Sequence, residues 1–251
     1  MSFLGPTTVL ATFLIFCRIG ACLMLMPGIS SPRVAVQVRL FIAIAVTLAL
    51  TPLLLQSVEP AIADASPFTL FHLIVSETLT GGLIGLLGRC FFIALETMGT
   101  AIADSIGLSN ALGVPIEGND SVPELVTIIT MAATVLLFIT DQHWEILRGL
   151  VASYNAWPVA QGFGPRLGLT QLTDTVTIAF VATLRISSPF LIYSLIIHFA
   201  IGLANKLTPQ ISIFFISMPF TLMGGIVLLY FVSKQYLDLF MRAFSSWLVA
   251  G

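Results

Sequence analysis

Between residues 171 and 233 two long apolar runs are joined by one short polar turn, Asn205-Lys206-Leu207-Thr208-Pro209-Gln210. The first run ends in Phe190–Ala204, and the second goes from Ile211 to Val232. A turn this short predicts an antiparallel helical hairpin, and runs this long and this apolar read as membrane helices. Each run nevertheless contains a proline, Pro189 or Pro219, and the first also holds Arg185 and His198. A helix that faced only lipid would have no use for these groups, so the hairpin is expected to pack inside a larger membrane assembly.

The rest of the chain agrees with that class. Of its 251 residues, 57% are hydrophobic and 9% charged, whereas about 25% are charged in a soluble domain. The formal net charge is −2, and no basic block or acidic tail points to nucleic acid. Cys17, Cys22 and Cys90 all lie in apolar runs. An odd count without a Cys-x-x-Cys pair predicts buried small hydrophobes and no disulfide framework. No basic residue precedes the first apolar run, Arg18 sits inside it, and no Ala-x-Ala site follows. These features predict a retained membrane helix in place of a cleaved leader.

Six apolar runs can be drawn: Thr7–Met26, Val38–Leu55, Phe68–Ala103, Glu124–Ile139, Gln171–Ala204 and Ile211–Val232. Runs three and five hold 36 and 34 residues, roughly 50 Å each if helical, against a hydrocarbon core of ~30 Å. Tilt, a break, protrusion or shielding by other protein must absorb the excess. Pro189 offers a break in run five, and Gly81, Gly82, Gly85 and Gly88 offer one in run three. With six spans, Arg33, Arg39 and Lys206 fall on one side and Arg148, Arg166, Lys234 and Arg242 on the other. If run three is itself a hairpin, six of these seven share a side. The positive-inside rule does not choose between the two counts.

Arg18, Glu77, Arg89, Glu96 and Arg185 lie within apolar runs. A charge at mid-bilayer costs at least ~2.5–3.5 kcal/mol, so these groups are expected to face partners, water or another subunit. Glu77 and Arg89 are too far apart on one helix to pair, and Arg89 and Glu96 lie two turns apart. Their partners are therefore expected on other helices or other chains. They are read either as ion pairs that set helix register or as a charge relay. Gly81-x-x-x-Gly85, extended by Gly88, fits the small-x-x-x-small pattern that lets a second backbone approach. Gly224 and Gly225 offer the same in run six.

His72, His143 and His198 fall on separate segments with no metal-ligand spacing, and no cofactor is expected. There is no Gly-x-x-x-x-Gly-Lys-Ser/Thr loop. Gly107-Leu108-Ser109-Asn110 hints at a serine nucleophile but lacks the second glycine, since Ala111 stands there. The stretch 105–123 has three glycines, two prolines, Glu117 and Asp120, and no basic residue. It reads equally as a re-entrant, pore-occluding loop or as a surface loop. In 141–170, Trp144, Leu147 and Val151 recur at helical spacing, and Trp144, Tyr154 and Trp157 are interface-type aromatics. An amphipathic surface helix and an ordinary helix end with a loop both fit.

Together these residues resemble the FliR family of the flagellar type III export gate over nearly the whole length. Phe16-Cys17-Arg18-Ile19, Met26-Pro27, Pro32 and Arg39 are similar to the family's opening. Glu77, Gly81, Gly85, Gly99 and Gly107 resemble its third segment, and His143, Ser153 and Pro158 its His…Ser…Pro stretch. The hairpin carries the most specific match, through Ser188-Pro189, Gly202-Leu203, Pro209-Gln210, Phe214-Phe215, Pro219 and Gly225. Asp141-Gln142 and Ser212 depart from the family's pattern.

The resemblance implies an all-α membrane protein of about six long helices without catalytic chemistry of its own. Residues 1–170 would form a FliP-like part and 171–251 a FliQ-like hairpin with a C-terminal tail. FliP-like and FliQ-like subunits would be its partners in a closed gate that passes unfolded flagellar proteins across the bacterial inner membrane at the flagellar basal body. The loop 105–123, with Gly107, Asn110, Gly113, Pro115 and Gly118, would plug the lumen. The turn at Asn205, Lys206, Pro209 and Gln210 would face the cytoplasm, where an FlhB-like switch protein docks. A virulence injectisome subunit is the near alternative. A small-solute secondary transporter is the alternative from another class, although no internal repeat relates 1–125 to 126–251.

Overall fold

A computed structural model describes residues 5–31, 34–63, 66–108, 124–207 and 213–250. Among them are seven α-helices and no strand: α1 Pro6–Leu25, α2 Val36–Ile62, α3 Pro67–Ser105, α4 Glu124–Ile139, α5 Gln142–Ala156, α6 Pro165–Leu207 and α7 Ile213–Ala250. A short 3₁₀ turn, Val159–Gln161, separates α5 from α6. Five helices are long and apolar enough to cross a membrane, or six if α4 and α5 count as one broken span. The chain is thus an all-α, multi-pass membrane protein.

Local chemistry places most of the helix ends. Proline occupies the first position of α1, α3 and α6, where its missing N–H is no loss. Ser66 precedes α3 and accepts from the Thr69 N–H at 3.3 Å, a cap of the usual kind. α1 stops at Met26, held extended (ψ 134°) by the following Pro27, and Gly28 then turns with φ +89°. Arg39 secures this turn, donating from Nε to Val34 O at 3.0 Å and from Nη2 to Ser31 O at 2.5 Å. Between α4 and α5 the chain turns at Asp141, a non-glycine residue at φ +57°. Threonine hydroxyls along these apolar helices mostly bond the carbonyl one turn back, as Thr47, Thr80 and Thr183 do. This satisfies them without water.

Three helices differ from their sequence expectations. α3 is one unbroken helix of 39 residues, so the glycines do not split run three into a hairpin. α6 spans 43 residues and α7 spans 38, each continuing through its proline. Pro189 removes the N–H that would bond Arg185 O. The Ser188 hydroxyl bonds that carbonyl instead, at 2.7 Å, so the helix continues. α7 also extends far past Val232, because Tyr236, Phe240 and Phe244 keep the apolar period going and are buried.

Two compact units divide the chain. One holds residues 1–91, 137–177 and 247–251, and the other holds 92–136 and 178–246. In the first, Ile15, Ile19, Cys22, Ala43, Val58, Leu73, Leu150 and Tyr154 form a closed core from α1, α2, α3 and α5. In the second, Phe92 meets Phe240 and Phe244 edge-on, with ring centres 5.5 and 6.0 Å apart. Offset and edge-on packing suits the ring quadrupoles. Each unit also holds a hydrogen bond between α6 and α7. Trp247 Nε1 donates to Thr175 Oγ1 at 3.3 Å in the first unit. The Tyr193 hydroxyl donates to Thr221 O at 2.8 Å in the second.

Candidate functional site: a buried arginine clamp

Arg18 projects from the middle of α1 into the core of the first unit, where it and Glu77 of α3 are each 1% exposed. Nε donates to Glu77 Oε2 at 2.6 Å and Nη2 to Oε1 at 2.7 Å. This is the two-pronged geometry that makes arginine–carboxylate pairs strong. Nη2 also donates to Trp157 O at 3.0 Å, and Nη1 to Ser153 Oγ at 3.3 Å. The Ser153 hydroxyl in turn donates a hydrogen bond to Leu150 O at 2.6 Å. The guanidinium carbon stands 4.0 Å from the centre of the Tyr154 ring, a cation–π contact. One cation thus joins α1, α3, α5 and the segment after α5.

The glycines of α3 make this approach possible. A side chain at Gly81 would collide with the Arg18 carbonyl, one at Gly85 would lie 2.5 Å from Cys22 O, and one at Gly88 would lie 2.8 Å from Met26 Sδ. The Gly81-x-x-x-Gly85-x-x-Gly88 stripe therefore receives the backbone of α1, and the same contact brings Arg18 onto Glu77. Gly82, on the neighbouring face, would meet only Leu25 at 3.8 Å. In the second unit a side chain at Gly224 would strike the Tyr193 hydroxyl, and one at Gly225 would strike Ile106. These two glycines admit α6 and the end of α3 onto α7.

The other charged candidates stand apart. Arg89, Glu96 and Arg185 are exposed on the chain, and no ion pair joins them among the described residues. Glu96 borders an open groove of about 460 Å³ on α3, with Ile93, Thr97, Thr100, Ala101 and Asp104. Gly107 ends α3 at φ +76°. Asn110, Gly113, Pro115 and Gly118 lie outside the described residues, as do Pro209 and Gln210. Asn205 and Lys206 belong to the last turn of α6.

The helix in 141–170 is present as α5, but its buried face is Ile146, Leu150, Ser153 and Tyr154. Trp144 is 57% exposed and Leu147 half-buried, while Val151 is half-buried and packs against the margin of the first unit's core. The buried serine conceals the core-facing period in the sequence. Tyr154, read as an interface aromatic, is 3% exposed and packs on Arg18. Its spacing from Ile146 and Leu150 (i, i+4, i+8) is the signal that could have placed it.

Every polar contact of Arg18 ties one element to another. The fold and the clamp define a multi-helix membrane component that is braced from within while much of its apolar surface stays open. The chain belongs to the bacterial export proteins, family 1, whose model matches residues 9–247. It is 30% identical to the flagellar biosynthetic protein FliR of Caulobacter vibrioides, over 86% of this chain and 85% of that one. It is 29% identical to the Escherichia coli protein of the same name, over 84% and 80%. With the Yop proteins translocation protein T of Yersinia pestis it shares 27% identity over 82% and 79%.

Proposed function

We propose that this chain is the FliR-like subunit of a flagellar export gate, working with FliP-like and FliQ-like subunits and an FlhB-like switch protein to pass unfolded proteins. The broader statement needs no proposal: the chain is a type III protein-export subunit, multi-pass in the bacterial inner membrane at the flagellar body. The family match across 9–247 carries the reading. The flagellar system fits best, because the flagellar relatives include the 30% match; the kinship with a Yop translocation protein keeps the injectisome gate as the near alternative.

Two features of the structure support a partnered role. α6 exposes Leu195, Phe199 and Leu207, and α7 exposes Phe220, Tyr230 and Phe231, each by more than 70%. At ~1.5 Å per residue these two helices reach roughly 65 and 57 Å, well beyond a ~30 Å hydrocarbon layer, so lipid alone does not cover them. In this reading residues 1–170 act as a FliP-like part and 171–251 as a FliQ-like hairpin. The loop 105–123 acts as the lumen plug, and the turn at Asn205, Lys206, Pro209 and Gln210 serves as the docking point for the switch protein. Arg89, Glu96 and Arg185 meet neighbouring subunits or the aqueous lumen. The chain performs no catalysis, and the energy comes from elsewhere in the apparatus.

Co-expression tests this directly. An affinity-tagged chain should accumulate only with its FliP-like and FliQ-like partners, and should elute with them as one complex. A stable, monodisperse lone chain, or substrate-dependent uptake of a small solute by that chain in liposomes, would overturn the reading in favour of a transporter.

A further inference from the structure

We propose that one edge of α5 lies in the headgroup interface of the bilayer and anchors the first unit there. Successive residues of an α-helix are ~100° apart, so the wheel of α5 divides into three sectors. Ile146, Leu150, Ser153 and Tyr154 form the buried sector. Trp144, Leu147 and Val151 lie together roughly 110° round from it. Trp144 is 57% exposed and Leu147 half-buried, while Val151, at the inner end of the edge, packs against the core. Glu145, Arg148, Ala152 and Asn155 lie roughly opposite the buried sector and hold the polar surface. An apolar edge set between a core face and a polar face is the pattern of a helix lying at a membrane surface.

The neighbouring residues say what covers that edge. α4 is an apolar helix of 16 residues that rises only ~24 Å, and the chain turns at Asp141 directly after it. Its last residues, Phe138 and Ile139, are 43% and 71% exposed. The His143 ring bridges Phe138 and Trp144, with ring centres 5.6 and 5.5 Å apart. An aromatic cluster at the end of a short apolar helix matches the belt that tryptophan forms at headgroup depth. One turn on from Trp144, Arg148 is 76% exposed and donates to Glu145 at 2.8 Å. Its long stem can lie along the apolar edge while its guanidinium meets lipid phosphate. A bilayer interface can cover Trp144 and Leu147 while it leaves the Glu145 and Arg148 side of α5 among headgroups and water.

Site-specific photo-crosslinking tests this in membranes from cells making the full chain, without reference to any partner assignment. Trp144→benzoylphenylalanine and Leu147→benzoylphenylalanine should each give a phospholipid adduct on irradiation, seen as a lipid-sized mass increase. Ala152→benzoylphenylalanine, on the polar face, should give many times less. Adducts to protein at 144 and 147, or equal lipid adducts at all three positions, would overturn the proposal. Failure here leaves the export-gate reading standing, and failure of the co-expression test leaves this one standing.

Discussion

Arg18 and Glu77, 59 residues apart in the chain, form a two-pronged ion pair with N–O distances of 2.6 and 2.7 Å in a site closed to solvent. Removing one partner from such a pair costs about 3–5 kcal/mol, because the other charge is left buried, whereas replacing both with apolar groups is often tolerated. Arg18→Met and Glu77→Leu should therefore each sharply lower the amount of folded chain in the membrane. The double variant should recover much of that loss. Quantitative blotting and thermal melts in detergent give the comparison, and a double variant as poor as the singles would argue against the clamp as an isolated pair.

The glycine stripe makes a position-specific prediction. Gly81→Ala drives a methyl into the Arg18 carbonyl, and backbone cannot move aside as a side-chain tip can. Gly149 has open space around the added carbon, so alanine there should be neutral or stabilising by up to ~1 kcal/mol through helix propensity. Melting temperatures of Gly81→Ala, Gly82→Ala and Gly149→Ala should rank with Gly81 clearly lowest.

Ser188 and Pro189 should show coupled effects. The serine hydroxyl serves the Arg185 carbonyl that proline leaves without its usual N–H partner. Ser188→Ala alone should cost about 1 kcal/mol, the ordinary worth of such a bond. In a Pro189→Ala background the backbone N–H is restored, and Ser188→Ala should then cost little. A double-mutant cycle on thermal stability reads the coupling, and full additivity would contradict the account.

The proposed plug is open to a permeability assay. Deleting residues 110–118 from an otherwise assembled gate should make cells leak small solutes across the inner membrane while the complex still forms. Unchanged permeability with normal assembly would remove the plug from the reading.

The number and kind of the helices were legible in the sequence, because unbroken apolar length is itself the physical signal for a membrane helix. α4 begins and ends where its apolar run does. Helix continuity was not legible. Pro189 lies inside a helix because a hydroxyl next to it replaces one hydrogen bond, and α3 stays whole because α1 covers its glycines.

The family, too, could be read from the order of Arg18, Glu77, the glycines and the hairpin motifs, and the match over 9–247 agrees with it. By itself the sequence determined that this is an all-α membrane chain carrying charges that must be neutralised. Only the tertiary structure decided which charges meet. Arg18 finds Glu77, Ser153 and the Trp157 carbonyl across three elements, while Arg89, Glu96 and Arg185 face outward. The physical reason is that a helix presents residues to its neighbours by its rotation and depth. Close contact at Gly81 and Gly85 sets the depth of α1 on α3; the glycine spacing marks a surface for close approach but does not say which helix fills it.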